Sequence, residues 1–151
     1  MTTDLFSLDY LNEACGGDKQ LRTELLTIFI QQAESVSDDL EKCLQASDFD
    51  QLARQAHKFK STALSMGMEQ TADALKKIEV IAKKLFVQSP EAGDDDNAKS
   101  LYLGQIRGLT PEIDLWTDQN LSTDSLHKLI DFCKLHSLNA AQEARKILSH
   151  K

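Results

Sequence analysis

Cysteine is scarce in this 151-residue chain: Cys15, Cys43 and Cys133 are far apart, odd in number and form no CxxC pair. That excludes a disulfide framework and a structural zinc site, and leaves free, buried thiols as the expectation. Only two prolines and six glycines interrupt the chain, too few for a collagen-like or low-complexity class. Basic residues are outnumbered, 17 Lys and Arg against 24 Asp and Glu, for a net charge of −7. A nucleic-acid partner is disfavoured by that balance, because such binding needs a basic face to neutralise phosphates. No apolar run approaches a membrane span, and Met1-Thr2-Thr3-Asp4 has neither the basic nor the apolar region of a signal peptide. The expectation is a cytoplasmic monomer with no membrane contact. What is present is ordinary for a soluble domain, 41% apolar and 27% charged residues, in the length of one domain with an appendage.

The apolar spacing is helical nearly throughout. Ser7 is placed to cap a short first helix that Gly16-Gly17 stops, and Asp18 to cap a long second one reaching about Gln45. In that helix Leu21, Leu25, Ile28, Phe29, Gln32, Val36, Leu40 and Leu44 recur at three- and four-residue steps. Ala46 to Asp50 breaks it and caps a third helix ending at Ser65 to Gly67; a fourth runs from Glu69 to about Val87 with Ala72, Leu75, Ile78, Ile81, Ala82 and Leu85 inward. Lys76, Lys77, Lys83 and Lys84 then fall on its outer face, where solvation is the plainest role. Gln88 to Asn97 reads as a mobile linker, with Pro90, Gly93 and three aspartates but not the spacing of a calcium loop. Helical spacing resumes at Ala98, stops at Gly108 and restarts with Thr110 as N-cap and Pro111 at the first helical position. Beyond Leu121 two helices are expected, one capped by Ser122 or Thr123, the other by a capping box of Asn139 and Gln142. His127, His136 and His150 are not spaced as a ligand pair on one face.

The stretch Asp48 to Gly67, DFDQLARQAHKFKSTALSMG, carries the chemistry. At about 100° per residue, Phe49, Leu52, Ala56, Phe59, Ala63, Met66 and Gly67 share one arc, which a bundle helix buries. His57 lies off that arc by roughly a third of a turn. Arg54, Lys60 and Ser61 are its neighbours three and four positions away, surroundings of cationic and hydroxyl groups that suit a phosphoryl group. A surface histidine near lysines is by itself commonplace; the order of residues adds more.

Ala56-His57, Lys60 three positions on, Gly67 ten positions after the histidine and Glu79 down the next helix resemble the histidine-containing phosphotransfer (HPt) domain. The stretch GGDKQLRTELLTIFIQQAE is similar to the beginning of such a domain, and the resemblance spans about Leu5 to Phe86. One position departs: Ser61 stands where the family usually has glycine, which bears on transfer rate and partner choice more than on the capacity to be phosphorylated.

The resemblance implies an all-α protein, an antiparallel four-helix bundle with extra N- and C-terminal helices. The HPt-like bundle would occupy residues 1–120, with Leu101 to Trp116 as its last helix, and residues 121–151 would be a C-terminal helical extension without an assigned role. His57 would be the phosphoacceptor, exchanging a phosphoryl group with the aspartate of a response-regulator receiver domain, and hybrid sensor histidine kinases would be the other partners. Lys60, Lys58, Arg54, Ser61 and Gln32 would contact or support the phosphate, Gln32 from across the site, or else Gln32 would be a solvated or interhelical glutamine. Gly67 would serve packing and access. Ala53, Leu64 and Met68, apolar and small residues next to the histidine, are candidates for the docking patch or, equally, for the core or edge of the bundle. With no P-loop, kinase glycine loop or acidic metal pocket beside His57, the chain reads as a carrier without kinase activity or cofactor of its own, the magnesium ion coming with the receiver. The alternative is a receiver-binding module that sequesters or drains a regulator with little onward transfer.

Overall fold

A computed structural model describes residues 6–89 and 96–149. Among them are seven helices and no strand. The mid-chain linker lies mostly outside the described residues, as does His150. No helix among the described residues is long and apolar enough to cross a membrane.

Helix α1 (Leu8–Ala14) starts where the Ser7 hydroxyl accepts from the Tyr10 amide and ends before Gly16 and Gly17, both at positive φ. Helix α2 (Lys19–Gln45) is capped by Asp18, whose carboxylate accepts from the Gln20 and Leu21 amides. Helix α3 (Phe49–Ser65) is capped by Asp48 through the Gln51 amide. It leads through a three-residue turn into α4 (Glu69–Gln88). Helices α5 (Asp96–Arg107) and α6 (Pro111–Gln119) are separated at Gly108, with Pro111 in the first turn of α6. Helix α7 runs unbroken over Thr123–Ser149, and the Ser122 hydroxyl accepts from the Ser125 amide at its start.

The ring of the bundle is α2, α3, α4 and α7, with α3 on α4, α2 on α3 and α7 packed along both α2 and α4. This corrects the expected assignment of its last helix. Leu101 to Trp116 does not close the bundle: it holds most of α5 and part of α6, which lie on α4. The closing helix is α7, whose Leu126, Ile130, Cys133, Ala140, Ala141 and Ala144 are fully buried in the common core. Residues 121–151 are therefore not an appendage to a completed bundle. The expected break at Asn139 is absent as well, because no glycine or proline interrupts Ser137 to Ala141 and an interior asparagine costs a helix only about 0.7 kcal/mol.

Phe29 of α2 stacks on Phe59 of α3 with centroids 6.4 Å apart, and Phe6 meets Phe29 edge-on at 6.2 Å. Around them Leu26, Leu40, Leu52, Leu75, Ile78 and Ile81 are fully buried, each stabilising by roughly 1.5–3 kcal/mol. The stripe of α2 lies beside the expected one: Leu26, Ala33 and Ser37 are buried, whereas Leu21 and Ile28 are exposed. Cys15 and Cys133 are buried, Cys43 is half-buried, and none of the three forms a disulfide among the described residues.

One expected surface lysine is interior. Lys84 Nζ donates to the Asp114 carbonyl and carboxylate, the Thr117 hydroxyl and the Asp118 carboxylate, at 2.7–3.0 Å. Burial alone would lower its pKa, but the two aspartates raise it, so a charged ammonium pins α6 to α4. Gly67, in the α3–α4 turn, has φ +74°, and a Cβ there would lie 3.1 Å from the Ser7 Cβ. The Ser7 amide donates to the Met66 carbonyl at 3.0 Å, so glycine lets the chain before α1 lie against this turn.

Candidate functional site

His57 sits on α3 opposite Leu52, Ala56, Phe59 and Ala63, the residues that anchor the helix in the core. Its side chain is 61% exposed. The ring is nevertheless fixed at one nitrogen: Nδ1 lies 3.2 Å from both carboxylate oxygens of Glu79 on α4. Burial alone would raise the Glu79 carboxyl. The Lys83 and Lys60 ammonium groups, at 2.5 and 3.0 Å, instead pull its pKa down from 4.5 to about 2. Glu79 is thus a carboxylate at neutral pH and only accepts hydrogen bonds. A neutral imidazole beside it donates from Nδ1, the tautomer that leaves the Nε2 lone pair available as a nucleophile.

A cavity of about 320 Å³ opens beside the ring. Arg54, Glu79 and Lys83 line it from the bundle, with Ala53 alongside, and Leu101, Tyr102 and Gln105 line it from α5. Arg54 pairs with Asp50 one turn back at 3.1 Å, and the Tyr102 hydroxyl donates to that same aspartate. Burial and this bond push Tyr102 up to about 12, so it stays a donor. An exposed nucleophilic nitrogen, a tautomer-fixing carboxylate and nearby cations form an arrangement suited to phosphoryl transfer, which depends on positioning and charge neutralisation.

The model of the Hpt domain family matches residues 24–114, more than half of the chain. The chain belongs to the Hpt domain family. No curated protein and no solved structure matches it. Hpt domains are phosphotransfer modules of two-component signalling, phosphocarriers rather than kinases, and they interact with receiver domains. The matched segment of this Hpt chain ends within α6, so α7, which closes its bundle, lies beyond it.

The other expected site residues are distributed unevenly. Lys60 is near His57 but is engaged with Glu79. Ser61 is exposed, and its hydroxyl lies 3.5 Å from the His57 carbonyl, turned toward its own helix. Arg54 shares the cleft with His57. Gln32 does not contact the histidine ring: it accepts from the Thr62 hydroxyl at 2.6 Å and lines a separate groove with Gln55 and the exposed Lys58. The histidine cleft instead involves α3, α4 and α5. Of the docking residues, Leu64 is 49% exposed, but Met68 and Ala53 are buried, at 0% and 1%. Neither offers a partner surface, because Met68 enters the core at the start of α4 and Ala53 lies under the cleft.

The spacing of residues did not reveal several participants. Glu79 matched the motif, but its bond to the ring depends on how α3 and α4 align. Lys83, expected on the solvated face, pairs with Glu79 four residues before it, the separation at which helical side chains meet. Nothing local marked Leu101, Tyr102 or Gln105, since α5 reaches the cleft only by folding onto α4. Away from the cleft, His127 is exposed on α7, and His136 is buried and stacked on Phe132 at 4.0 Å.

Proposed function

We propose that this chain carries a phosphoryl group on His57 Nε2, taking it from, or giving it to, the aspartate of a response-regulator receiver domain. The observation behind this reading is the bond between Nδ1 of an exposed imidazole and a buried, ionised carboxylate. In uptake, the Nε2 lone pair attacks the phosphorus of an aspartyl phosphate. The P–N bond forms as the P–O bond breaks, and the aspartate carboxylate leaves with the electron pair. The ring retains its Nδ1 proton and becomes cationic, a charge that the Glu79 carboxylate stabilises. Release is the same step reversed.

Arg54 lines the cleft where it can meet the phosphoryl oxygens, and Lys60 and Lys83 hold Glu79 in place. Lys58, on the neighbouring groove, contributes to the local positive potential rather than to the ring's geometry. A magnesium ion fits this donor set poorly, because cations surround its one carboxylate and magnesium prefers free carboxylates, phosphates and water; the ion belongs with the receiver. Partner contact falls on the exposed Leu64 and on Ile28. The Gln32–Thr62 bond brings these parts of α2 and α3 side by side. Hybrid sensor histidine kinases would feed the relay through their own receiver domains.

The test is to incubate the chain with a receiver carrying radiolabelled aspartyl phosphate. Acid-labile, base-stable label should appear on wild type and not on His57→Gln. Label persisting on the variant would place the acceptor elsewhere. Receiver binding without label would make the chain a binding module that sequesters its partner.

A further inference from the structure

We infer that α5 is part of the receiver-docking surface and that its exposed Leu101 helps to select the receiver. This rests on the reading of His57 as phosphoacceptor. Helix α5 lies outside the four-helix ring, on α4, yet it supplies one wall of the cleft that holds His57. It is fixed there by Tyr102, 4% exposed, whose hydroxyl donates to Asp50 on α3 and whose ring meets Phe86 edge-on at 5.4 Å. Lys83 Nζ lies 5.4 Å from that ring's centroid. The preceding residue, Leu101, is left 56% exposed although it lines the cleft.

Size and charge identify the occupant. A transient protein interface covers about 600 Å² per partner, a disc of about 14 Å radius. A helix with its side chains is only about 10 Å across, so a disc centred on His57 extends over the neighbouring α5. The group that enters must present an aspartate to Nε2, and the cleft meets it with Arg54 and Lys83. An acidic, aspartate-bearing receiver face with an apolar rim therefore fits, Leu101 taking the rim on the α5 side and Leu64 the rim two turns further along α3.

The experiment uses the full chain and the receiver domain that labels wild type fastest, charged by a small acyl phosphate. Leu101→Glu is compared with Leu135→Glu, a change at an equally exposed leucine of α7, far along the chain from the cleft. Transfer at low receiver concentration should fall about tenfold or more for Leu101→Glu and change less than twofold for Leu135→Glu. At saturating receiver the Leu101→Glu rate should recover to within threefold, as expected for lost docking. If circular dichroism shows Leu101→Glu to be unfolded, Leu101→Ser is read in its place by the same criteria. Equal rates for the two sites would overturn the inference while leaving His57 as acceptor. A deficit that persists at saturation would also overturn it, by moving the effect from docking to the histidine itself. Absence of label on wild type would remove the phosphoacceptor reading and this inference with it.

Discussion

Replacing Glu79 by glutamine removes the charge that organises the site while keeping its shape. In the native chain the carboxylate accepts from His57, Lys60 and Lys83, and its pKa falls from 4.5 to about 2. At roughly 1.4 kcal/mol per pH unit, the charged contacts contribute about 3 kcal/mol to folding. Because the folded pKa is the lower one, that contribution is fully present above pH 4.5 and is lost as the pH falls toward 2. Glu79→Gln should therefore be less stable than wild type by about 3 kcal/mol at pH 7, from the loss of the charge and the two lysines left without their carboxylate. Urea unfolding at pH 7, 5, 4 and 3 measures both midpoint and slope. The gap should be constant between pH 7 and 5 and narrow below 4.5. A gap that stays the same at pH 3, or is absent at pH 7, would refute the claim that Glu79 acts as a buried anion. The same variant should accept phosphoryl about tenfold more slowly, corresponding to about 1.4 kcal/mol of lost transition-state stabilisation.

Gly67→Ala should lower the unfolding free energy by about 1–3 kcal/mol, from left-handed backbone strain and the 3.1 Å approach to Ser7 Cβ; denaturant melts with an unchanged midpoint would contradict it. Lys84→Met should cost about 1–2 kcal/mol, since Asp114 and Asp118 are half-exposed and regain water. Hydrogen exchange should then quicken in α6 while His57 labelling continues at the wild-type rate. Ser61→Gly should leave the labelling rate within about twofold and destabilise α3 by about 0.5 kcal/mol, because the exposed serine makes only a 3.5 Å contact with the His57 carbonyl. A large gain in rate would show that the hydroxyl had been obstructing the ring.

The early helices were legible in the sequence because local chemistry sets them. Ser7, Asp18 and Asp48 each cap the helix expected of them, and the paired glycines stop α1 where a positive φ is needed. His57 was legible for a related reason: the apolar arc of α3 must face the core, which forces the histidine outward. The closing helix of the bundle was not, because Leu101 to Trp116 and α7 both have apolar spacing, and only packing shows which fills the groove between α2 and α4. For want of the same information Lys84 is expected in solvent, and Met68 stays open between docking patch and core until packing places it in the core. A lysine on a helix's outer face is solvated unless another helix brings it carboxylates, as α6 does. The α5 wall of the cleft depends on contacts such as Tyr102 with Asp50, 52 residues apart in sequence.

The most direct measurement is the identity of the phosphorylated atom. Long-range proton–nitrogen NMR of the ¹⁵N-imidazole groups, recorded before and after charging by a receiver, distinguishes the two ring nitrogens of each histidine. A phosphoryl group on Nε2 of His57, with a proton retained on Nδ1 beside Glu79, is the predicted result. Phosphorylation at Nδ1 of His57, or at any other histidine, would contradict the account.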